Sequence, residues 1–499
     1  MLPVDRFRKF INPVLAGGQV DVQDATIEGA LGHCSASPDA ALPPGSGTSF
    51  IALVAYGWWV PVTVDGTDEN GRDLVANSWT VATLPNGLRV VVTPIPTAQS
   101  AAASLWVGVG SRDETPATNG LSHYIEHMLF KGTERRPTAA MISETIEGAG
   151  GGLNAFTTKE VTCYWNNLPY ERVATGIDVL ADMIQHSVME SVEVERERTV
   201  VQQELRRAKD SPGSWVGELI SDATYGNQPI GWPIGGTLDT VGTMLRDDFF
   251  SHMATYYHPQ NAVLSVAGNV EVERIVDLAA QQFGGWKPGA DVGRDTAKPE
   301  RPADYIRIEE REIEQCNLSL AVLGMSRNDP DKYALDIMNT ALGRGMSSRL
   351  FTEVRERRGL AYSVGSGSSR YRDIGSMSVN AGVTRDHQEE ALQVIIAELQ
   401  RLAGERMGEE ELARTKDYAA GSFRLGLETP MSFAQRFGGQ LLQDGEIEPP
   451  DVTVARLRAV TAEDIQRVAT RLFTDAKFSL AVVGPSASPD RLDGILHGA

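Results

Sequence analysis

Apolar and polar positions recur along this chain in the same order at two places. The pair Ser104-Leu105 returns as Ser319-Leu320, 215 positions later. The triplet Ser111-Arg112-Asp113 returns at the same offset as Ser326-Arg327-Asn328. Each copy opens and closes with a strand-like run, and helical periodicities lie between these runs. A chain of 499 residues is also longer than one domain usually holds, so the repeat predicts a duplicated unit.

The far ends of the two copies match as well. Leu264-Ser-Val-Ala-Gly268 corresponds to Leu480-Ala-Val-Val-Gly484 at an offset of 216. Matching offsets at both ends predict two homologous domains of about 200 residues each. The segment 287–304 is rich in proline, glycine and charge, which is typical of a linker. We therefore predict domains at 79–286 and 305–499, preceded by an extension at 1–78.

One apolar-rich run carries candidate metal chemistry. His123-Tyr-Ile-Glu-His127 lies in a segment that ends at Gly132, a pattern that predicts a helix. Residues four apart share a helix face, so His123 and His127 can offer two imidazole nitrogens to one metal ion. Glu126 is placed to take a proton from water. This His-x-x-Glu-His spacing is the inverted zincin motif, and the alternative is two histidines on a solvated helix face.

A second helix is predicted at 191–210. Ser191 is suited to an N-cap, acidic residues fill the first turns, basic residues fill the last, and Pro212 ends the helix. Glu197 and Glu204 are seven apart within it, which places them two turns apart on one face. Taken alone, either glutamate fits a solvated helix surface better than a metal site.

The second copy of the repeat lacks the metal chemistry. At the offset of 215, the two histidines and the two acids of the first copy fall on apolar positions: Met338, Ala341, Leu342 and Ala419. A purely structural helix face would have no reason to differ at just these positions. The pattern favours a function for these residues of the first copy and a supporting role for the second.

Taken together, these features resemble the pitrilysin/insulinase metallopeptidases. The resemblance covers about residues 80–499 and is closest to their short branch, related to the mitochondrial processing peptidase β-subunit and its bacterial relatives. Besides the metal motif, it rests on four segments: Ser111-Arg112-Asp113, Phe130-Lys-Gly-Thr133, Gly151-Gly-Leu-Asn-Ala-Phe-Thr157 and Leu342-Gly-Arg-Gly-Met-Ser-Ser-Arg-Leu-Phe351. It implies an α+β fold of two homologous domains, each a mainly antiparallel sheet with packed helices. The two domains would face each other like a clamshell across the linker.

The resemblance also implies roles for single residues. The family's third zinc ligand corresponds to Glu204, which follows His127 by 77 positions. The glutamate two turns earlier, Glu197, would support the site by orienting a ligand histidine. One zinc ion per chain is therefore expected, held by His123, His127 and Glu204, with Glu126 as the general base.

Two further segments are expected to bind substrate. The family's second domain uses an arginine and a tyrosine seven apart to bind the substrate backbone and support the oxyanion, and Arg355 and Tyr362 match that spacing. Asn154, Ala155 and Phe156 match the family's exposed edge strand, to which an extended substrate adds as a further strand. The glycines near this segment fit a plain loop as the alternative.

Composition and charge narrow the classes of function. The net charge is −20, from 46 basic and 66 acidic residues, which argues against a nucleic-acid surface. The strongest apolar run, at 49–62, is too short to span a membrane and does not fit a signal peptide. Three widely spaced cysteines form no disulfide framework and fit a reducing compartment, so a cytoplasmic location is expected.

The sequence therefore predicts a zinc metalloendopeptidase that hydrolyses extended peptides or unfolded protein segments. The alternative is a non-catalytic structural or partner subunit of the same family, against which the intact site residues argue. Two domains alone would leave their inner surface open to water, so a homodimer is expected to close the chamber. A heterodimer with an inactive relative would close it equally well. Residues 1–75 match nothing familiar and are an accessory segment, a disordered arm or the result of a misassigned start.

Overall fold

The computed structural model of the chain describes residues 53–54, 57–62 and 78–498. The strands of the first sheet are β1 (Leu53–Val54), β2 (Gly57–Val62), β3 (Trp79–Thr83), β4 (Arg89–Pro94), β5 (Ser100–Val107), β6 (Gly152–Thr157), β7 (Thr162–Pro169) and β8 (Ala262–Gly268). Those of the second are β9 (Ile306–Glu309), β10 (Gln315–Gly324), β11 (Ala361–Arg370), β12 (Gly375–Thr384) and β13 (Ser479–Val483).

Helices follow the strands in both halves of the chain. Those of the first half are α1 (Leu121–Met128), α2 (Ala139–Glu147), α3 (Val173–His186), α4 (Ser191–Asp210), α5 (Pro212–Tyr225), α6 (Leu238–Thr243), α7 (Arg246–Tyr256) and α8 (Val272–Phe283). Those of the second half are α9 (Lys332–Gly343), a π-helical turn (Phe351–Glu356), α10 (Gln388–Gly404), α11 (Glu409–Leu425), α12 (Pro430–Gln443), α13 (Pro450–Ala459), α14 (Ala462–Phe473) and α15 (Pro489–Gly498).

The two sheets repeat one strand order. The first sheet runs β1-β2-β3-β4-β8-β5-β7-β6, and the second runs β11-β12-β10-β13-β9. Read from β4 and from β9, the orders β4-β8-β5-β7-β6 and β9-β13-β10-β12-β11 are equivalent. Strands β4 and β8 are parallel, as are β13 and β9, and the other paired strands of the described residues are antiparallel. The predicted α+β class, with mainly antiparallel sheets, is confirmed.

The first sheet begins earlier than the predicted domain start at residue 79. Strand β2 pairs antiparallel with β3, and β1 pairs with β2, so part of the predicted extension at 1–78 continues this sheet. Backbone pairing to an existing edge strand requires no sequence motif, so the sequence alone did not predict this part of the sheet. The remainder of that extension lies outside the described residues.

Strand β5 shows why the first sheet is covered on both faces. Leu105 belongs to the main core of the first domain, whereas its neighbour Trp106 belongs to an apolar cluster on the opposite face. That opposite face is covered by α12 of the second domain, through Phe433 and Phe437. The approach is close enough to require glycine, because a Cβ on Gly438 would lie 2.5 Å from the Trp106 ring.

The second sheet is likewise covered by a helix of the first domain. Helix α5 of the first domain lies on strands β10 and β13, where Val216, Ile220 and Ala223 pack against alanine and valine side chains. Helices α5 and α12 occupy corresponding places in the two copies, so the domains exchange equivalent helices. The two predicted facing domains are therefore closely packed, and one face of each sheet is covered by a helix of the other domain.

Buried ion pairs cross the same interface. Arg112 and Arg327 are the arginines of the repeated triplet, and each binds an acid in a hairpin loop of the other domain. Arg112 Nη2 lies 2.6 Å from Asp373 Oδ2, and Arg327 pairs with Glu160. Arg112 also binds Glu160 of its own domain at 2.8 Å. These pairs connect the β6–β7 loop to the second domain.

The predicted linker at 287–304 contains no helix or strand and is bonded to both domains. Arg294 Nη1 lies 3.0 Å from both carboxylate oxygens of Asp113 in the first domain. The backbone N–H of Ala297 donates to Asp373 of the second at 2.8 Å. The linker is therefore held in place along its length.

Candidate metal centre

The position of helix α1 is fixed by its buried face and by hydrogen bonds to its first turn. Tyr124 and Ile125 point into the core, and the Tyr124 hydroxyl donates to the Val194 carbonyl of α4, which joins the two helices. Glu114 accepts the backbone N–H groups of Gly120 and Ser122, each at 2.7 Å, and so satisfies donors that a helix start leaves free. The helix ends at Met128, four residues before the predicted end at Gly132.

Helix α4 has the predicted bounds, but its N-cap residue differs from the predicted one. It spans Ser191–Asp210, and Glu190 rather than Ser191 is the N-cap residue. Pro212 was predicted to end the helix, and it also begins α5 directly after Ser211. Proline fits the first helical turn because its missing N–H has no partner there in any case.

Three candidate ligand atoms converge where α1 and α4 meet. His123 Nε2 and His127 Nε2 are 3.3 Å apart, and Glu204 Oε2 lies 3.4 Å from the latter and 3.8 Å from the former. Ligands about 2.0–2.1 Å from a tetrahedral zinc ion are about 3.3–3.4 Å from one another. Among the described residues, these three form the group whose ligand atoms all lie within 4.8 Å. The donor set and its spacing fit zinc.

Glu197 orients the second histidine. Its Oε1 lies 2.8 Å from His127 Nδ1, so Nδ1 carries the proton and Nε2 keeps its lone pair for a metal. Its Oε2 lies 2.5 Å from Lys131 Nζ. Burial alone would raise the pKa of Glu197, but these two partners outweigh burial and lower it. The carboxylate is therefore charged. Lys131 was not assigned a role from the sequence, although it lies in the Phe130–Thr133 motif.

The two histidines differ in their proton affinity. Burial, and then the nearby charge of His127, lowers the pKa of His123 to about 4, so its imidazole is neutral. Burial alone would lower the pKa of His127 too, but the hydrogen bond to Glu197 and the neighbouring carboxylates raise it. His123 Nδ1 is buried and finds no hydrogen-bond partner among the described residues. With the His127 proton on Nδ1, both Nε2 atoms have lone pairs free to bind a cation.

Glu126 faces the same space from one side. Burial raises its pKa, against the hydrogen bond from Thr157 and the charge of His127, and the raised pKa makes it a stronger base. The Thr157 hydroxyl donates to Glu126 Oε2 at 2.5 Å and leaves Oε1 for another partner. In the sequence, Thr157 is only the last residue of the segment 151–157 that resembles the family. Its contact with Glu126 arises from tertiary packing of β6 on α1.

The predicted substrate strand is the end strand of its sheet. Asn154, Ala155 and Phe156 lie in β6, which pairs with β7 on one side. Asn154 is exposed, and its Oδ1 accepts the backbone N–H of Ala155 at 2.8 Å. The Phe156 ring packs edge-on against Trp106 of β5 at 5.5 Å. The last residue of β6 is Thr157, so this edge leads directly to Glu126.

Arg355 and Tyr362 lie together but apart from the metal centre. The Arg355 guanidinium carbon is 5.4 Å from the centre of the Tyr362 ring and 4.8 Å from that of Phe351. Tyr362 is 76% exposed. No hydrogen bond, ion pair or ring contact between described residues of the chain joins this pair to α1 or α4.

The corresponding place in the second domain is filled. Met338, Ala341 and Leu342 of α9 are buried in the apolar core of that domain, and Ala419 of α11 packs against it. Apolar side chains thus occupy the space that polar ligands line in the first domain.

Comparison with known proteins places this chain in one class, that of M16 peptidases. Residues 89–238 match the family described as insulinase, peptidase family M16, and residues 244–418 match the peptidase M16 inactive domain. An uncharacterized zinc protease of Streptomyces coelicolor is 39% identical over 426 residues, covering 84% of this chain and 91% of that protein. One of Bacillus subtilis is 38% identical over 407 residues, covering 81% and 98%.

Solved structures share the fold. A protease from Helicobacter pylori has a TM-score of 0.75 at 24% identity and covers 82% of this chain and 99% of its own. A peptidase M16 inactive domain from Pseudomonas fluorescens has a TM-score of 0.76 at 20% identity, with the same coverage. The chain belongs to the insulinase family, peptidase family M16, and the predicted resemblance is confirmed. In residues 53–54, 57–62 and 78–498, no helix combines the length and hydrophobicity of a membrane span.

Proposed function

We propose that this protein is a zinc-dependent metalloendopeptidase acting on extended peptides or unfolded protein segments. The observation that carries the proposal is the convergence of the ligand atoms of His123, His127 and Glu204. The carboxylate of Glu126 is close enough to interact electrostatically with His127 and Glu204. A structural helix face has no need of three metal-ligand atoms at this spacing. The alternative, a non-catalytic partner subunit, has no use for a base held next to them. Zinc in the names of the curated relatives supports the choice of metal.

Each residue of the site has a separate role in the proposed reaction. A zinc ion held by the three ligands would supply a Lewis acid for the scissile carbonyl and for water. Glu126 takes a proton from the attacking water and returns it to the leaving amine, and its raised pKa suits both steps. Thr157 holds one Glu126 oxygen, so the other is directed at the water. Glu197 holds the His127 proton on Nδ1, so the lone pair of Nε2 is free for the metal.

The edge of the first sheet suits an extended substrate. An incoming peptide can pair with the free side of β6, where backbone hydrogen bonds give affinity without demanding a particular sequence. Residues 152–157 bring such a peptide to Glu126 through Thr157. Extended or unfolded segments are therefore the substrate class that this site favours.

The exposure of Tyr362 supports assembly into a dimer. Arg355 and Tyr362 would bind the substrate backbone and the oxyanion, yet within one chain they make no contact with the metal centre. A second copy that presents its own pair to the site would complete it, so we propose a homodimer, with a heterodimer as the alternative. The cytoplasmic location stays a prediction from cysteine usage.

Peptide-library cleavage by the purified protein tests the function. Wild-type protein with zinc should cleave peptides, Glu126→Gln should keep zinc and lose nearly all turnover, and Glu204→Gln should bind zinc more weakly. Glu193→Gln, a substitution on the same helix α4 whose residue pairs with Arg196, is the matched control and should change neither. A wild-type protein that binds zinc and cleaves no peptide would favour the partner-subunit alternative.

A further inference from the structure

The last turns of helix α4 have little support in their own domain. From residue 203 to 210 every side chain is exposed except that of Leu205, which packs against the core of the first domain. Glu204 lies in this stretch, and its side chain is 48% exposed. The third metal ligand is thus carried by a helix end that its own domain contacts through Leu205 and through Lys209, whose Nζ lies 5.6 Å from the centre of the Trp215 ring of α5.

The second domain adds hydrogen bonds to this helix end. Arg311, just after β9, donates from Nη2 to the Lys209 carbonyl at 2.6 Å and from Nη1 to the Asp210 carbonyl at 3.3 Å. Glu309 accepts from Arg311 at 2.6 Å and from Trp215 Nε1 of α5 at 2.5 Å. One arginine–glutamate pair of the second domain therefore contacts both helices on either side of the α4–α5 junction.

These contacts suit a helix C-terminus. The last carbonyl groups of a helix have no partner within it, and the helix dipole favours a cation there. The contacted carbonyls lie five and six residues beyond Glu204, about 7.5–9 Å along the helix axis. Movement at the junction would therefore be transmitted to Glu204 along a stiff helix.

We propose that Arg311 and Glu309 position the third zinc ligand by fixing the α4–α5 junction. The proposal rests on the zinc site of the proposed function. The second domain, which lacks metal-ligating residues, would then support the zinc site of its own chain. This role is separate from any contact of the second domain with substrate. Arg311 acts here as a positioning residue, because it touches the helix and not the metal.

Zinc affinity and amide hydrogen exchange together test this inference. Arg311→Ala should weaken zinc binding in a chelator competition by about three- to tenfold, below the range for direct partners of ligands. It should also speed amide exchange at residues 203–210 in metal-free protein. Arg311→Lys should restore part of the zinc affinity and part of the protection from exchange. Trp215→Phe keeps an aromatic ring near Lys209 but removes the donor to Glu309, so it should weaken zinc binding less than Arg311→Ala.

Arg307→Ala is the matched control. Arg307 lies in β9, four residues before Arg311, and pairs with Asp222 at the far end of α5, so its loss weakens the domain contact without touching α4. Unchanged zinc affinity and exchange in Arg311→Ala would overturn the inference. Equal effects of Arg311→Ala and Arg307→Ala would also overturn it, because general adhesion between domains would then explain both. A wild-type protein without measurable zinc affinity would instead refute the proposed function, and the exchange measurement on metal-free protein would still report on the junction.

Discussion

Glu197 allows the sharpest prediction, because it makes two contacts of different kinds. Its side chain is 6% exposed, with His127 Nδ1 at 2.8 Å from one oxygen and Lys131 Nζ at 2.5 Å from the other. In Glu197→Gln the amide oxygen can still accept from His127, while the amide N–H₂ faces the ammonium of Lys131. Lys131 is 25% exposed and can turn toward water, so the main loss is the full negative charge beside the imidazole.

The expected magnitudes follow from those contacts. Partners of metal ligands are worth about 10- to 100-fold in affinity, or about 1.4 to 2.7 kcal/mol. Glu197→Gln keeps the hydrogen bond and should lie near tenfold. Glu197→Ala leaves the His127 N–H without its partner in a partly buried site and should lie near one hundredfold.

Chelator competition at fixed neutral pH measures zinc affinity directly, and thermal unfolding of metal-free protein checks that α4 is intact. Glu193→Gln, four residues earlier on the same helix, should bind zinc like the wild type. If Glu197→Ala binds zinc as tightly as the wild type, the orienting role is wrong. If Glu197→Gln binds zinc more weakly than Glu197→Ala, the buried amide next to Lys131 is the dominant cost, and the expected order of affinities is wrong.

Three further outcomes are expected. Thr157→Val should lower kcat by about tenfold, the size of one hydrogen bond to a charged group, with KM and zinc affinity unchanged, and Thr157→Ser should restore kcat. Asp182→Asn should lower the free energy of unfolding by about 2–3 kcal/mol at neutral pH, because it removes a buried charge that one threonine and two arginines bind. Burial alone would raise the pKa of Asp182, but these donors lower it, so the difference in urea unfolding should persist above about pH 4 and shrink as pH falls further. Mixing Glu126→Gln with Tyr362→Phe should give more activity than the sum of the two variants alone if each active site uses both chains, and no such gain in a mixture shown to exchange subunits would refute the shared site.

The ligand pair on α1 could be predicted because it is a local property of the chain. His123 and His127 are one turn apart, so helical periodicity alone places them together. Glu204 needed the family resemblance, since a glutamate on an exposed helix looks the same whether or not a metal is near. The bounds of α4 followed from its charges and from Pro212.

Contacts that depend on tertiary packing leave no pattern in the sequence from which they could be predicted. Thr157 lies 31 residues from Glu126 in sequence, and only the packing of β6 on α1 brings the hydroxyl to the carboxylate. Arg311 and Lys209 are 102 residues apart and belong to different domains. An apolar face on α5 or α12 shows that the helix is covered, but periodicity does not say which sheet covers it.

The exchange of α5 and α12 has a consequence for how this chain can be divided. Either half expressed alone would carry one apolar helix without its sheet and one sheet face without its helix, so neither half is an autonomous folding unit. A cut in the linker would leave two fragments that stay bound through both exchanged helices. Two identical units that trade one helix form a domain-swapped dimer. This chain has the architecture of such a dimer joined into a single polypeptide, in which one half could lose its metal ligands while the other kept them.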